Sequence, residues 1–398
     1  MRLAPALLLF TALLPSPARA QPAPAAFTLP NGLKVALFED HSLPLLRGEL
    51  RLDLPAPAED SQAWLRPLGF RMLAEGGSGT RNATAFALGA DAIGLELRLS
   101  LGPDSALWSF TTRSQDQEAA FSLLADRVTR PAFDPLALEP ARMGAWSELS
   151  ESDALARARL RFTRALSALP EPDERMLASV DATTLAAWHR RLFRPGHATL
   201  ALWGDLDASQ ARQLALLSFG AWTAQGEPAS GAAPAAPEPG PFLAALPGEG
   251  PVLAIGLVED GRDRAQRRFL RPWVLTQLKA AGIALEEGDA LSLRADAALG
   301  TSAESLRARL AAALDALPAS FTAADLASLR AQDATEKALM SLHPEALLSQ
   351  TATPAETPGD LATAKVVLDR WCAPSNRRLF ASGDPGSLQD LQTSTPKR

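Results

Sequence analysis

Few side chains in this 398-residue chain can do chemistry: four histidines (His41, His189, His197, His343), one cysteine (Cys372) and no tyrosine. A protein zinc site needs three or four N, S or O donors, and two histidines share one helical face at spacings of three or four. No two histidines here stand that close. His189 and His197 are eight apart with Pro195 between them, which interrupts a common helix face. His343 has Glu345 beside it but no second histidine nearby. The lone cysteine excludes an internal disulfide and any CxxC motif, and it reads as a small core residue. Gly76 to Thr80 misses Gly-x-Ser-x-Gly at its last residue and reads as a flexible glycine-rich loop. No P-loop or dinucleotide-binding glycine pattern occurs.

Around this sparse inventory the composition is that of a globular protein, 47% hydrophobic and 21% charged. The length allows two or three domains. A net charge of −6 gives no electrostatic reason to expect nucleic acid. The arginines at 262, 264, 267, 268 and 271 are interspersed with acids and read as a solvated helix face. Arg2, the apolar run Leu3 to Leu14 and the small-x-small triplet ending at Ala20 form the pattern of a secretory signal peptide over residues 1–20. That run is shorter than the ~20 residues needed to span a bilayer. An exported chain, periplasmic or secreted and without a membrane span, is therefore expected. Cleavage near Ala20 would remove Arg2 and Arg19 and take the net charge to −8.

Residues 224–241 are rich in Ala, Pro and Gly and read as a linker between a first domain, 21–223, and a second, 242–398. Each half shows the same order of patterns. In the first, Leu45 to Leu54 is strand-like, Ser61 to Ala74 helical, Leu95 to Leu99 and Ala106 to Thr112 strands, and Gln115 to Thr129 an amphipathic helix. In the second, Val252 to Val258 is strand-like, Arg267 to Ala281 helical, Leu291 to Ala295 a strand and Ala303 to Leu317 a helix. Both halves close alike. Pro195 to Asp205 and Pro374 to Asp384 each place Gly-Asp nine and ten residues after Pro, with Leu200 matching Leu379. An internal duplication explains this, and the mixed elements predict an α+β fold of two similar domains, each a largely antiparallel sheet with helices packed on it.

Several stretches together resemble the M16 metallopeptidases, the insulinase, pitrilysin and processing-peptidase family. Leu29 to Val35 and Glu39 to Pro44 resemble the family's first hairpin, in which Asn31-Gly32 is a turn on physical grounds alone. Trp188 to Asp207, followed by Ser218 to Trp222, resembles the segment that closes the family's first domain. The resemblance implies two α+β domains per chain facing a second such unit around a peptide chamber. It also implies His-x-x-Glu-His on a helix, with a distal Glu completing three zinc ligands and the motif's Glu activating a zinc-bound water.

The aligned slot here is Arg66-Pro67-Leu68-Gly69-Phe70. A guanidinium has no lone pair to give, Gly69 carries no base and Phe70 no ligand atom. Glu148 resembles the distal zinc ligand, but a glutamate without the histidines makes no zinc site, and it reads first as a helix-surface acid. Where the family's second domain has a substrate-binding Arg and Tyr, the match is Lys279 and Leu285, and Lys279 reads otherwise as a solvated helix residue. The expectation is a non-catalytic member with no metal or cofactor of its own. Zinc would sit only in a catalytic partner carrying His-x-x-Glu-His. A stand-alone peptide-binding or assembly protein of the cell envelope, with a homodimer in place of a catalytic partner, is the alternative, and an active peptidase with an atypical site the outsider.

Overall fold

A computed structural model describes residues 25–55, 60–102, 105–149, 153–166, 174–225, 241–258, 263–286, 290–340 and 357–393. The expected signal peptide lies outside the described residues, as does most of the expected linker.

The chain opens with the antiparallel strands β1 (Ala25–Thr28) and β2 (Lys34–Glu39), and the turn between them needs Gly32 at φ +94°. After β3 (Leu45–Asp53) come α1 (Arg66–Glu75), the short β4 (Gly77–Ser78), α2 (Ala83–Ala92), β5 (Glu96–Leu101) and β6 (Ser105–Arg113). Next are α3 (Gln117–Thr129), the short β7 (Pro131–Ala132), α4 (Pro135–Leu149), α5 (Ala154–Leu166), α6 (Glu174–Ala178) and α7 (Ala182–Leu192). Strand β8 (Ala198–Gly204) and α8 (Ala208–Phe219) complete the first half. The second half runs β9 (Phe242–Ala245), β10 (Val252–Leu257), α9 (Arg264–Ala280), β11 (Ala284–Glu286), β12 (Ser292–Asp296), α10 (Ala303–Ser320) and α11 (Ala323–Met340). It closes with α12 (Leu361–Cys372), β13 (Arg377–Gly383) and α13 (Pro385–Thr393).

Two sheets carry the architecture. The first has the order β1-β2-β8-β3-β6-β5 and the second β11-β12-β10-β13-β9. Read from β2 and from β9, the orders are the same, and so are the pairing senses: one parallel pair, then three antiparallel ones. Matching positions carry matching constraints. Gly204 and Gly383 end equivalent strands at φ +131° and +144°, and a Cβ on Gly204 would lie 2.1 Å from the Leu45 carbonyl oxygen. Only glycine suits that backbone and that approach. Thus the Gly-Asp repeat in the sequence marks one sharp turn made twice.

In β3, Leu46, Leu50 and Leu52 are buried against the helices while Arg47 and Glu49 point to the opposite face, the period of two that a half-buried strand requires. The first core gathers Trp108, Phe121, Trp188, Phe193 and Phe219. The second sets Leu253, Ile255 and Leu257 against α9, α10 and α12. The back face of the second sheet is covered as well. Helix α5, which precedes the linker, lays Ala158, Phe162 and Leu166 on Ala254, Phe242 and Phe380. Gly256 admits it closely, since a Cβ there would lie 2.4 Å from Leu166. On the first sheet the equivalent face is a hollow of 390 Å³ bordered by Arg47, Glu49, Arg98 and Trp203.

Two local readings are corrected. Gly77 and Ser78 are buried and pair with β7, so the glycine-rich stretch is a packed turn rather than a flexible loop. Arg267 is not on a solvated face: it is buried and donates to the Val258 carbonyl at 3.2 Å, because α9 turns that residue toward the sheet.

Candidate functional site

Helix α1 occupies the slot that the family resemblance assigns to metal binding. Pro67 is harmless there, because the first helical turn has no intrahelical partner for its missing N–H. Arg66 is buried, 4% exposed, and its Nη2 donates to the Pro55 carbonyl at 2.7 Å and to Asp60 Oδ2 at 3.1 Å. Asp60 is wholly buried and takes a second guanidinium, Arg191 of α7, on its other oxygen at 2.8 Å. Burial pulls the Arg66 pKa down, and Asp60 opposes that shift. One carboxylate thus holds two arginines where a metal ligand would stand.

One turn on, the chemistry is aromatic. A Cβ on Gly69 would lie 2.5 Å from the indole ring of Trp188, so the residue is glycine because the ring fills the space. Phe70 meets Trp188 edge-on at 5.3 Å between centroids and Phe193 at 6.1 Å. At the other end of α1, Arg127 donates to the carbonyls of Leu73 and Gly76 while its guanidinium lies 3.7 Å over the Phe86 ring. Burial pushes the Arg127 pKa down to about 10. A cation on the last carbonyls satisfies the helix's C-terminal acceptors.

Arg66 and Gly69 therefore look into the core. The other face of α1, with Pro67, Leu68, Arg71, Ala74 and an edge of Phe70, borders a cavity of 280 Å³. Trp64, Leu99 and Leu101 (both of the sheet-edge strand β5), Ala145 of α4, Arg164 of α5 and Leu177 of α6 complete its walls. Zinc does not fit either face. Toward the core stand an engaged guanidinium, a bare backbone and an edge-packed ring; toward the cavity stand a proline, aliphatic carbons and the guanidinium groups of Arg71 and Arg164.

The other singled-out residues are scattered. Glu148 belongs to α4, which packs on α1, but its side chain lies outside the described residues. Lys279 is exposed at the end of α9, and Leu285 is half-buried in β11 opposite Leu293; neither lines the cavity. His189 is buried, its Nε2 2.9 Å from the Val128 carbonyl and its ring stacked on Phe193 at 4.1 Å. Burial pushes its pKa down to about 4, so it is a neutral core residue. His197 is exposed, and His343 lies outside the described residues. Cys372 is buried, which pushes its thiol pKa up to about 12. Sequence reasoning missed Asp60, six residues before Arg66, and Arg191 and Trp188, which reach α1 from far along the chain. The only local hint was a charged residue, Arg66, beside apolar ones that had to be buried.

No protein-family profile and no curated protein sequence matches the chain. Solved structures do. The M16 peptidase inactive domain from Pseudomonas fluorescens is similar at TM-score 0.64 and 16% identity, over 91% of this chain and 98% of that one. The first half of the periplasmic protease PqqL from Escherichia coli is similar at TM-score 0.58 and 14% identity, over 96% and 98% of the two chains. Against the PqqL structure of the longer chain, 96% of this chain covers 51% of that one, at TM-score 0.58 and 13% identity. The fold is thus that of M16-like peptidase chains, two α+β domains in tandem. Among the described residues, no single helix is long and apolar enough to cross a membrane.

Proposed function

We propose that this chain is a non-catalytic M16 homologue, exported to the cell envelope, that forms one half of a two-part peptidase. The observation that carries this reading is the two-sided filling of α1. Its inner face, which carries Arg66 and Gly69 of the aligned slot, is fixed by Asp60 and Trp188, and its outer face borders a largely apolar cavity lined by no imidazole or carboxylate. The likeness to the first half of PqqL supports a second half as partner, and zinc would reside there.

The role left to this half is to hold peptide. Strand β5 lies at the edge of its sheet, and an extended peptide can add to such an edge with alternate side chains in pockets. Leu99 and Leu101 of β5 line the cavity, so a peptide added there drops an apolar side chain into it. At 280 Å³ the cavity falls just below the roughly 300–1,000 Å³ of small-molecule sites, which suits a side chain better than a cofactor. Affinity purification from the native envelope fraction tests the reading. A zinc-bearing homologue with His-x-x-Glu-His is expected to come with the chain, and peptide hydrolysis is expected to need both. Zinc-dependent hydrolysis of unstructured peptides by the purified chain alone would overturn it.

A further inference from the structure

A second place in the first domain collects metal-ligating groups, and it lies away from α1. Strands β2 and β8 run parallel, with Glu39 opposite Gly204, so the segments that leave them start side by side. The backbone fixes both exits: Asp40 N–H donates to the Gly204 carbonyl at 3.0 Å, and Asp205 N–H to the Leu45 carbonyl at 2.9 Å. One donor atom from each of Glu39, His41 and Asp207 then lies within 4.8 Å of the others.

The imidazole is already oriented. His41 Nδ1 is 2.7 Å from Asp205 Oδ1 and Nε2 faces Asp207 at 3.7 Å; in the neutral tautomer that donates from Nδ1 to Asp205, the Nε2 lone pair would be directed toward Asp207. A carboxylate behind a histidine in this way is the usual second partner of a metal-bound imidazole. Glu39 Oε1 accepts from the Ala208 N–H at 2.8 Å, which steadies that carboxylate and leaves Oε2 free to turn inward. Zinc with bonds of ~2.0–2.1 Å holds tetrahedral ligands about 3.3 Å apart, within reach of small rotations of exposed side chains. Four carboxylates, those of Glu39, Asp40, Asp205 and Asp207, crowd this imidazole, and a divalent cation would offset more of their charge than a proton does.

The fold does not impose this cluster. Asp384 is the counterpart of Asp205 in the second domain, and it is satisfied by the backbone N–H groups of Gly248 at 3.2 Å and Gly386 at 3.0 Å. We infer that Glu39, His41 and Asp207 form a surface site for a borderline divalent cation of the zinc type, with Asp205 as the positioning residue and water completing the coordination. Bound there, the ion ties the β2–β3 turn to the start of α8. The site is structural and independent of the peptidase reading.

The test is calorimetric titration of the intact, chelator-stripped chain with zinc chloride, repeated in excess magnesium and calcium. One equivalent of zinc should bind and resist displacement by the two hard cations. His41→Ala and Asp207→Asn should abolish binding, and asparagine retains the N-cap role at 207, so α8 stays folded. Asp205→Asn should weaken binding by roughly 10- to 100-fold. His197→Ala should change nothing. No zinc uptake by the native chain, or uptake that survives His41→Ala, would overturn the inference, and neither result bears on whether a catalytic partner exists.

Discussion

Gly69→Ala sets two effects of opposite sign against each other. In an open helix interior the change stabilises by about 1 kcal/mol, because alanine loses less backbone freedom on folding. Here the added Cβ would sit 2.5 Å from the Trp188 ring, whereas carbon atoms pack at about 3.5–4.0 Å. The ring must retreat by about 1 Å, yet Trp188 is fully buried and braced by Phe70 and Phe193. Overpacking of a filled core costs about 1–3 kcal/mol, and more when the neighbour cannot yield. The clash wins, and a net loss of about 1–2 kcal/mol is expected. Urea unfolding followed by far-UV circular dichroism should show a lower midpoint with unchanged m. In a Trp188→Phe background the smaller ring leaves room, so the penalty should shrink or reverse, and the double-mutant cycle isolates the contact. If Gly69→Ala alone raised the midpoint, the side of α1 assigned to the core would be wrong.

Three further outcomes follow from the same packing. Asp60→Asn leaves the buried Arg66 and the half-buried Arg191 without the charge of Asp60, and by the usual cost of breaking a buried pair it should destabilise by about 3–5 kcal/mol in thermal or urea unfolding; a loss under about 1 kcal/mol would sink that reading. His189 titrates near 4 in the folded chain and near 6.5 unfolded, so as pH falls the unfolded chain takes up the proton first. Its contribution is complete above pH 6.5 and is lost between about 6.5 and 4, up to about 3 kcal/mol, and His189→Gln should flatten the stability profile in that window. Cys372 should resist a thiol-disulfide reagent in the native chain and react once denaturant is added; rapid native labelling would contradict its burial.

The sequence made the fold legible because periodicity reports local burial. Alternation over Leu45 to Leu54 and Leu95 to Leu99 placed β3 and β5, and spacings of three and four over Gln115 to Thr129 and Ala303 to Leu317 placed α3 and α10. The repeated Gly-Asp turn was readable because only glycine tolerates its backbone. Parallel pairing of β2 with β8 was not, since such partners come from opposite ends of a domain and leave no local trace. Which residue types stand on α1 could be read from the sequence, but not what packs against them: Asp60 stands 131 residues from Arg191, and Gly69 acquires its meaning only once Trp188 is folded against it. The glycines at 76 to 79 misled for the same reason, since a residue chosen for close packing looks the same as one chosen for freedom.

Helix α5 has a mechanical consequence. Pulling α5, and the first domain with it, off the second sheet would strip Phe162 from the paired residues Phe242 and Phe380, at about 1.5–3 kcal/mol for each ring laid bare to water. The tandem domains are therefore welded, and thermal unfolding should pass through a single endotherm rather than two. On the two-part reading proposed above, a vessel assembled from such a half would not gape along its own middle, and the seam that parts to admit a guest would run between this molecule and its partner.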